Sequence, residues 1–234
     1  MPGEGPKGGR ASTRRYSAWV GLAFLVLLAV ATINTLRTPG GGILGISAGD
    51  QGMPLAEFAV PNAVTGPLDK DANIAQDDCS TSQNPCPSNA RRPSACEIHV
   101  KGAIRICDLF NRPLVLSFWF TKGADCLPTQ DILNRLAARY RGRVNFLSID
   151  VRDDPADVRR IVLEHRWTMP VGYDRDGAVS DLYRVGGCPT VAFAYPGGIL
   201  AFARARLSEL SGRQMTADVR KLLRLSAARE RETR

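Results

Sequence analysis

VGGCPTVAFAYPGG, residues 185–198, and LSFWFTKGADCLPTQ, residues 116–130, decide how this chain reads. The first holds Cys188 directly before Pro189, then a strand-length apolar run, then a Pro-Gly-Gly turn. The second is an apolar run through Trp119 and Phe120 that leads to Cys126 and Pro128. Proline is tolerated in the first turn of a helix, where its missing N–H would have no partner anyway. A helix therefore begins near Asp125 or Cys126. A strand, a lone Cys opening a helix, and a second Cys beside a proline read as cis make a redox layout, because the thiolate is the attacking species in disulfide exchange. A cis X-Pro bond costs only about 1 kcal/mol.

The flanking segments supply the rest of a domain. PLVLSFWF (113–120) is a near-continuous apolar run, which suits a central strand buried on both faces. Ile132, Leu133, Leu136, Ala137 and Tyr140 fall at helical spacing over 126–140. VNFLSIDV (144–151) is a second buried strand, and DPADVRRIVLEH (154–165) is an amphipathic helix with Asp153 or Asp154 as its cap. MPVGYD (169–174) is extended and GAVSDLYRV (177–185) is a short helix. CPTVAFAY (188–195) is a strand whose antiparallel partner is ILAFARA (199–205), and residues 207–231 form a closing helix. This order predicts an α/β domain, with a mixed central sheet and helices on both faces. PLAEFAVP (54–61) is a short first strand. Residues 62–112 are polar and read as an insertion. Within it, CEIHVKGAIRIC (96–107) alternates about Lys101 and Gly102, a hairpin pattern.

The 234 residues carry a formal charge of +8. Residues 1–17 contribute +3 and residues 204–234 contribute +5, so residues 18–203 balance. A basic C-terminal stretch without aromatic residues lacks the stacking platform of a nucleic-acid site, and reads as a solvated helix face. Residues 18–36 (AWVGLAFLVLLAVATINTL) are uncharged and long enough to cross a bilayer as a transmembrane helix. Bases before this run make 1–17 a cytoplasmic tail and put the folded part outside the cytoplasm. An A-x-A site at Ala29–Ala31 would suit a cleaved leader, but apolar character continuing to Leu36 favours a retained anchor. The Gly-rich stretch 37–53 reads as a linker, and residues 226–234 as a basic tail.

Six cysteines serve only two histidines, His99 and His165, which lie in different elements. The spacing is not that of a zinc site, so no metal and no cofactor is expected. Cys79, Cys86, Cys96 and Cys107 lie in the insertion and read as structural disulfides outside the cytoplasm, of roughly 2–3 kcal/mol each in the chain-entropy model. Their connectivity is not fixed by spacing.

PLAEFAVP, PLVLSFWF and GGCPTVAFAYPGG together resemble the membrane-anchored thioredoxin-like and alkyl hydroperoxide reductase/thiol-specific antioxidant (peroxiredoxin-like) superfamily, over about residues 54–225. The resemblance implies a thioredoxin-like fold. It also implies that the Pro189 loop covers the active-site cysteine, bringing Cys188 to Cys126. The departure is that the usual CxxC is replaced by Gly123-Ala124-Asp125-Cys126. Gly123 also stands where a peroxiredoxin has a Thr. The implied active site is a split pair, Cys126 and Cys188, with Trp119, Lys122 and Pro189 around it. Three readings of the pair stay open: two idle buried thiols, a static bridge, or a labile redox pair. The functions expected are a membrane-tethered thiol-disulfide oxidoreductase acting on protein thiols or disulfides, a thiol peroxidase acting on peroxide, or a thioredoxin-fold binding module without turnover.

Overall fold

The computed structural model describes residues 20–29, 50–66, 74–75, 80–81, 84–85, 94–97, 99–123, 125–205 and 210–232. The chain divides into two units, residues 1–40 and 41–234. In the first, residues 20–29 are helical (α1) and exposed. The remainder of the 18–36 run, the 1–17 tail and residues 37–49 of the linker lie outside the described residues. Among the described residues no helix is long and apolar enough to cross a membrane.

In the second unit the strands are β1 (Phe58–Pro61), β2 (Ile74–Ala75), β3 (Ser80–Thr81), β4 (Asn84–Pro85), β5 (Ala103–Arg105), β6 (Leu114–Trp119), β7 (Asn145–Val151), β8 (Val171–Asp174), β9 (Thr190–Ala194) and β10 (Leu200–Ala205). The helices are α2 (Leu127–Arg139), α3 (Pro155–Glu164), α4 (Ala178–Leu182) and α5 (Gly212–Glu232). The main sheet runs β10-β9-β6-β7-β8. β6, β7 and β8 are parallel, and β9 is antiparallel to both β6 and β10. This is the mixed sheet expected from the element order.

β6 holds the middle of that sheet and is buried along its whole length. Its residues alternate between two cores, as the two-residue period of a strand requires. Val115 and Trp119 face α2, α3 and α5, together with Leu133, Val158, Val191, Phe193, Met215 and Leu222. Leu114, Leu116 and Phe118 face the other way, onto Phe58, Val60, Ile106, Val179, Tyr183 and Leu200. Each such side chain, fully buried, contributes about 1.5–3 kcal/mol. α3 begins at Asp154, whose carboxylate accepts from the Ala156 N–H at 2.8 Å. α5 is fastened to β10 by Arg204, which donates two hydrogen bonds to the buried Asp218 (2.8 and 3.1 Å).

Four expectations are corrected, on the 96–107 hairpin, the 62–112 insertion, the linker and the C-terminal boundary. β1 forms a second sheet, ordered β2-β1-β5. It lies against the β8 edge, through a bridge between Asn62 and Gly172. Gly172 has to be glycine there, since a Cβ would sit 2.5 Å from Val60 Cγ2. The 96–107 hairpin does not form: its first arm is a 3-10 turn, Ala95–Glu97, and β5 pairs with β1. β5 instead pairs with the edge of β1 at three positions, from Ala59–Arg105 to Pro61–Ala103. Residues 62–112 are thus not wholly an appendage, since Ala63, Ala95 and Ile106 are buried in the core. The linker also ends early, because the Gly52 N–H donates to the Leu200 carbonyl and the Leu200 N–H to that of Met53 (2.8 and 2.9 Å). The boundary placed after residue 225 falls inside α5, where Ser226 is buried.

Candidate active site

Cys126 is the N-cap residue of α2, and Pro128 occupies the first turn. No side chain caps this helix. Its carbonyl accepts from the Thr129 and Gln130 N–H groups (3.2 and 3.3 Å). The positive end of the helix therefore meets the Cys126 sulfur. A negative charge there is favoured by typically 0.3–1 kcal/mol.

Cys188 reaches the same place from the other side of the fold. It precedes β9, and its bond to Pro189 is cis. The loop is held locally, since the Thr190 hydroxyl donates to the Gly187 carbonyl at 2.6 Å. A disulfide joins Cys126 to Cys188, with Cα atoms 6.0 Å apart. The pair is covered: Cys126 is 1% and Cys188 4% exposed. Cys188 Sγ lies 4.0 Å from the Phe120 carbonyl oxygen. Pro189 is buried, and Lys122 and Asp125 stand exposed in the loop between β6 and α2. Among the described residues Lys122 forms no ion pair with a carboxylate, so it adds charge near the loop and nothing more specific.

Trp119 ends β6, fully buried, with its ring 5.3 Å from that of Trp167 in an edge arrangement. Trp167 in turn donates from its indole N–H to Asp131 at 2.7 Å, and His165 Nδ1 lies 2.9 Å from the same carboxylate. His165 is thus a partnered residue of α2's flank.

Polar groups collect beneath the first turn of α2. Ser117 and Ser148, on neighbouring strands, both donate to Gln130 Oε1 (3.0 and 2.8 Å). Asp150 stands opposite Trp119 in the β6–β7 register. Burial, then the charges of Asp153 and Asp174, push its carboxyl from an ordinary 3.8 up to about 9. It is therefore protonated at neutral pH. Asp153 accepts from the Thr121 N–H at 2.6 Å, which ties the loop before Cys126 to the end of β7. Buried polar atoms nearly always have partners. Trp119 Nε1, Thr129 Oγ1, Gln130 Nε2 and Asp150 Oδ2 have none among the described residues, and all four belong to β6, β7 or the start of α2. The other two such atoms among the described residues, Glu57 Oε2 and Ser226 Oγ, lie elsewhere in the fold.

Sequence reasoning offered Asp153 only as a cap for α3, a place Asp154 takes, and gave Asp150 and Gln130 no role. An acid closing a strand as apolar as β7 was the available signal. Cys96 and Cys107 form a second disulfide, with Cα atoms 5.9 Å apart. Cys79 and Cys86 lie outside the described residues. A Glu57 carboxylate oxygen lies within 4.8 Å of the Cys96 and Cys107 sulfurs, but the bridge leaves neither sulfur free to ligate a metal.

No family model matches the chain. The thiol-disulfide oxidoreductase ResA of Oceanobacillus iheyensis is 28% identical over 99 residues, 42% of this chain and 52% of that protein. The chain spans about half the length of this relative. A solved Chlorobium tepidum structure, described as a thiol:disulfide interchange protein DsbE, is 14% identical with a TM-score of 0.53. The match covers 74% of this chain and 97% of that one. The fold is thioredoxin-like. The thioredoxin domain of a Bacteroides vulgatus thiol-disulfide oxidoreductase shares this thioredoxin-like fold, at 12% identity and a TM-score of 0.50, over 74% of this chain and 97% of that one. All three names are those of thiol-disulfide proteins, and none bears on peroxide.

Proposed function

We propose that this chain is a thiol-disulfide oxidoreductase working through Cys126 and Cys188. The observation that carries the reading is the bridge between them, set at the uncapped N-terminus of α2 on a thioredoxin-like fold. In the reduced form the Cys126 thiolate attacks one sulfur of a substrate disulfide. A mixed disulfide forms, and the first substrate sulfur leaves as a thiolate and takes a proton. Cys188, having lost its proton, then attacks the Cys126 sulfur. The Cys126–Cys188 bond forms and the second substrate thiol leaves. Two electrons pass from the pair to the substrate, and the reverse sequence oxidises a substrate dithiol. Asp153 contributes by fixing the Thr121 N–H, and with it the approach to Cys126.

The low exposure of both sulfurs favours a second reading, a binding module that holds a partner beside Pro189 without turnover. Insulin reduction by dithiothreitol separates the two. The wild-type chain accelerates it, Cys126→Ser and Cys188→Ser fall to the uncatalysed rate, and Cys188→Ser accumulates a mixed disulfide with substrate. Equal rates with wild type and Cys126→Ser leave only the binding module.

The substrate class that suits this chemistry is a protein thiol or disulfide, as the names of the relatives suggest. The apolar run 18–36, with bases before it, supports a single-pass tether with the thioredoxin-like domain outside the cytoplasm. The chain then stays with membranes through alkaline carbonate extraction. Its release into the supernatant contradicts the tether.

A further inference from the structure

The end of α2 remote from the disulfide carries a second arrangement. Arg139, Arg143, Arg220 and Arg224 line one pocket of about 440 Å³, with Tyr140 and Leu223. Arg139 and Arg143 come from the C-terminal end of α2 and the turn after it. Arg220 and Arg224 lie one turn apart on α5. All four are exposed, while Tyr140 is buried and Leu223 half-buried, so the pocket has an apolar floor and a cationic rim. The Arg139 and Arg143 guanidiniums stand 5.8 and 5.9 Å from the centre of the Tyr140 ring. That contact orients planar groups at little entropic cost.

None of the four has a carboxylate within 4.0 Å among the described residues, whereas Arg105, Arg152, Arg160, Arg184 and Arg204 each do. Like charges one turn apart on a helix are destabilising by about 0.2–0.5 kcal/mol per pair. The pocket therefore gathers four unneutralised guanidiniums, whose fork geometry matches the oxygens of a phosphate. We propose that this pocket is a binding site for a multiply charged phosphate group, supplied by a free phosphate compound or by an anionic lipid headgroup. Cys126 and Tyr140 cap opposite ends of α2, some 20 Å apart at 1.5 Å per residue. A phosphate held at the arginine end leaves the disulfide end open to its substrates.

The test uses the full chain in a nonionic detergent, titrated calorimetrically with three probes. These are inorganic pyrophosphate, a short-chain phosphatidic acid, and the matching phosphatidylcholine as a neutral control. Wild type binds pyrophosphate, phosphatidic acid or both, and does not bind phosphatidylcholine. Arg143→Gln/Arg224→Gln raises the Kd at least about tenfold, since it removes two charge-assisted contacts. Arg159→Gln/Arg166→Gln, placed on and just after α3, leaves it unchanged. Binding of pyrophosphate alone, or more tightly than phosphatidic acid, assigns a free phosphate compound, and phosphatidic acid bound alone, or more tightly than pyrophosphate, assigns a lipid headgroup. Absence of binding to either anionic probe, or equal weakening by the α3 pair, overturns the proposal. Insulin reduction by the Arg143→Gln/Arg224→Gln chain stays at the wild-type rate throughout.

Discussion

The Cys126–Cys188 bridge spans 62 residues of sequence and lies buried in the core, whereas the Cys96–Cys107 bridge spans 11 and is half-exposed in the insertion. Loop closure alone favours the longer bridge, by roughly 4 kcal/mol against 3. On that ground the buried bridge would be the harder one to reduce. Its surroundings work in the opposite direction. Reduction places one sulfur at the N-cap of a 13-residue helix that no side chain caps, where a thiolate gains from the positive end of the helix dipole. Cys107 belongs to a four-residue 3-10 turn, Ile106–Leu109, and has no such stabiliser. On the proposed function, lability is set by what the fold offers the reduced form, not by loop length.

Two substitutions probe the walls of the buried region, where the insertion has no counterpart. Trp119→Ala opens a cavity between β6 and Trp167, and destabilises the chain by about 3–5 kcal/mol in urea unfolding. A loss under 1 kcal/mol would mean that the wall behind the bridge is loosely packed. Asp150→Asn acts through pH. Because the folded carboxyl titrates near 9 and the unfolded one near 3.8, its contribution to stability is full below pH 4 and is lost as pH rises through 9. Stability of the wild-type chain falls across that window by at most about 1.4 kcal/mol per pH unit from this group. Asp150→Asn flattens the slope, and an unchanged slope would mean that Asp150 ionises normally.

The same contrast explains which parts of the fold were legible in sequence. β6 and β9 announce themselves as apolar runs buried on both faces, Pro128 fixes the start of α2, and Asp154 caps α3. Those signals are local. The partners of β1 were not legible, because strand pairing is a contact between distant segments and CEIHVKGAIRIC carries a locally consistent hairpin pattern. Cys188 came to Cys126 only through the family resemblance, since no periodicity connects a helix cap to a loop 62 residues away. Asp150, Asp153 and Gln130 were hidden for the same reason: each acquires its meaning from a neighbouring strand or loop. The arginines of α5 read as a solvated face until the fold sets them, with Arg139 and Arg143, around Tyr140.

Reduction of the two bridges, followed separately by alkylation and peptide mass spectrometry across a dithiothreitol redox series, bears on all of this. Thiolate stabilisation at α2 predicts that Cys126–Cys188 opens at a more oxidising potential than Cys96–Cys107, despite its longer loop. Simultaneous opening, or a Cys126–Cys188 bridge that outlasts Cys96–Cys107, would make the buried bridge a structural fastening and contradict the redox account.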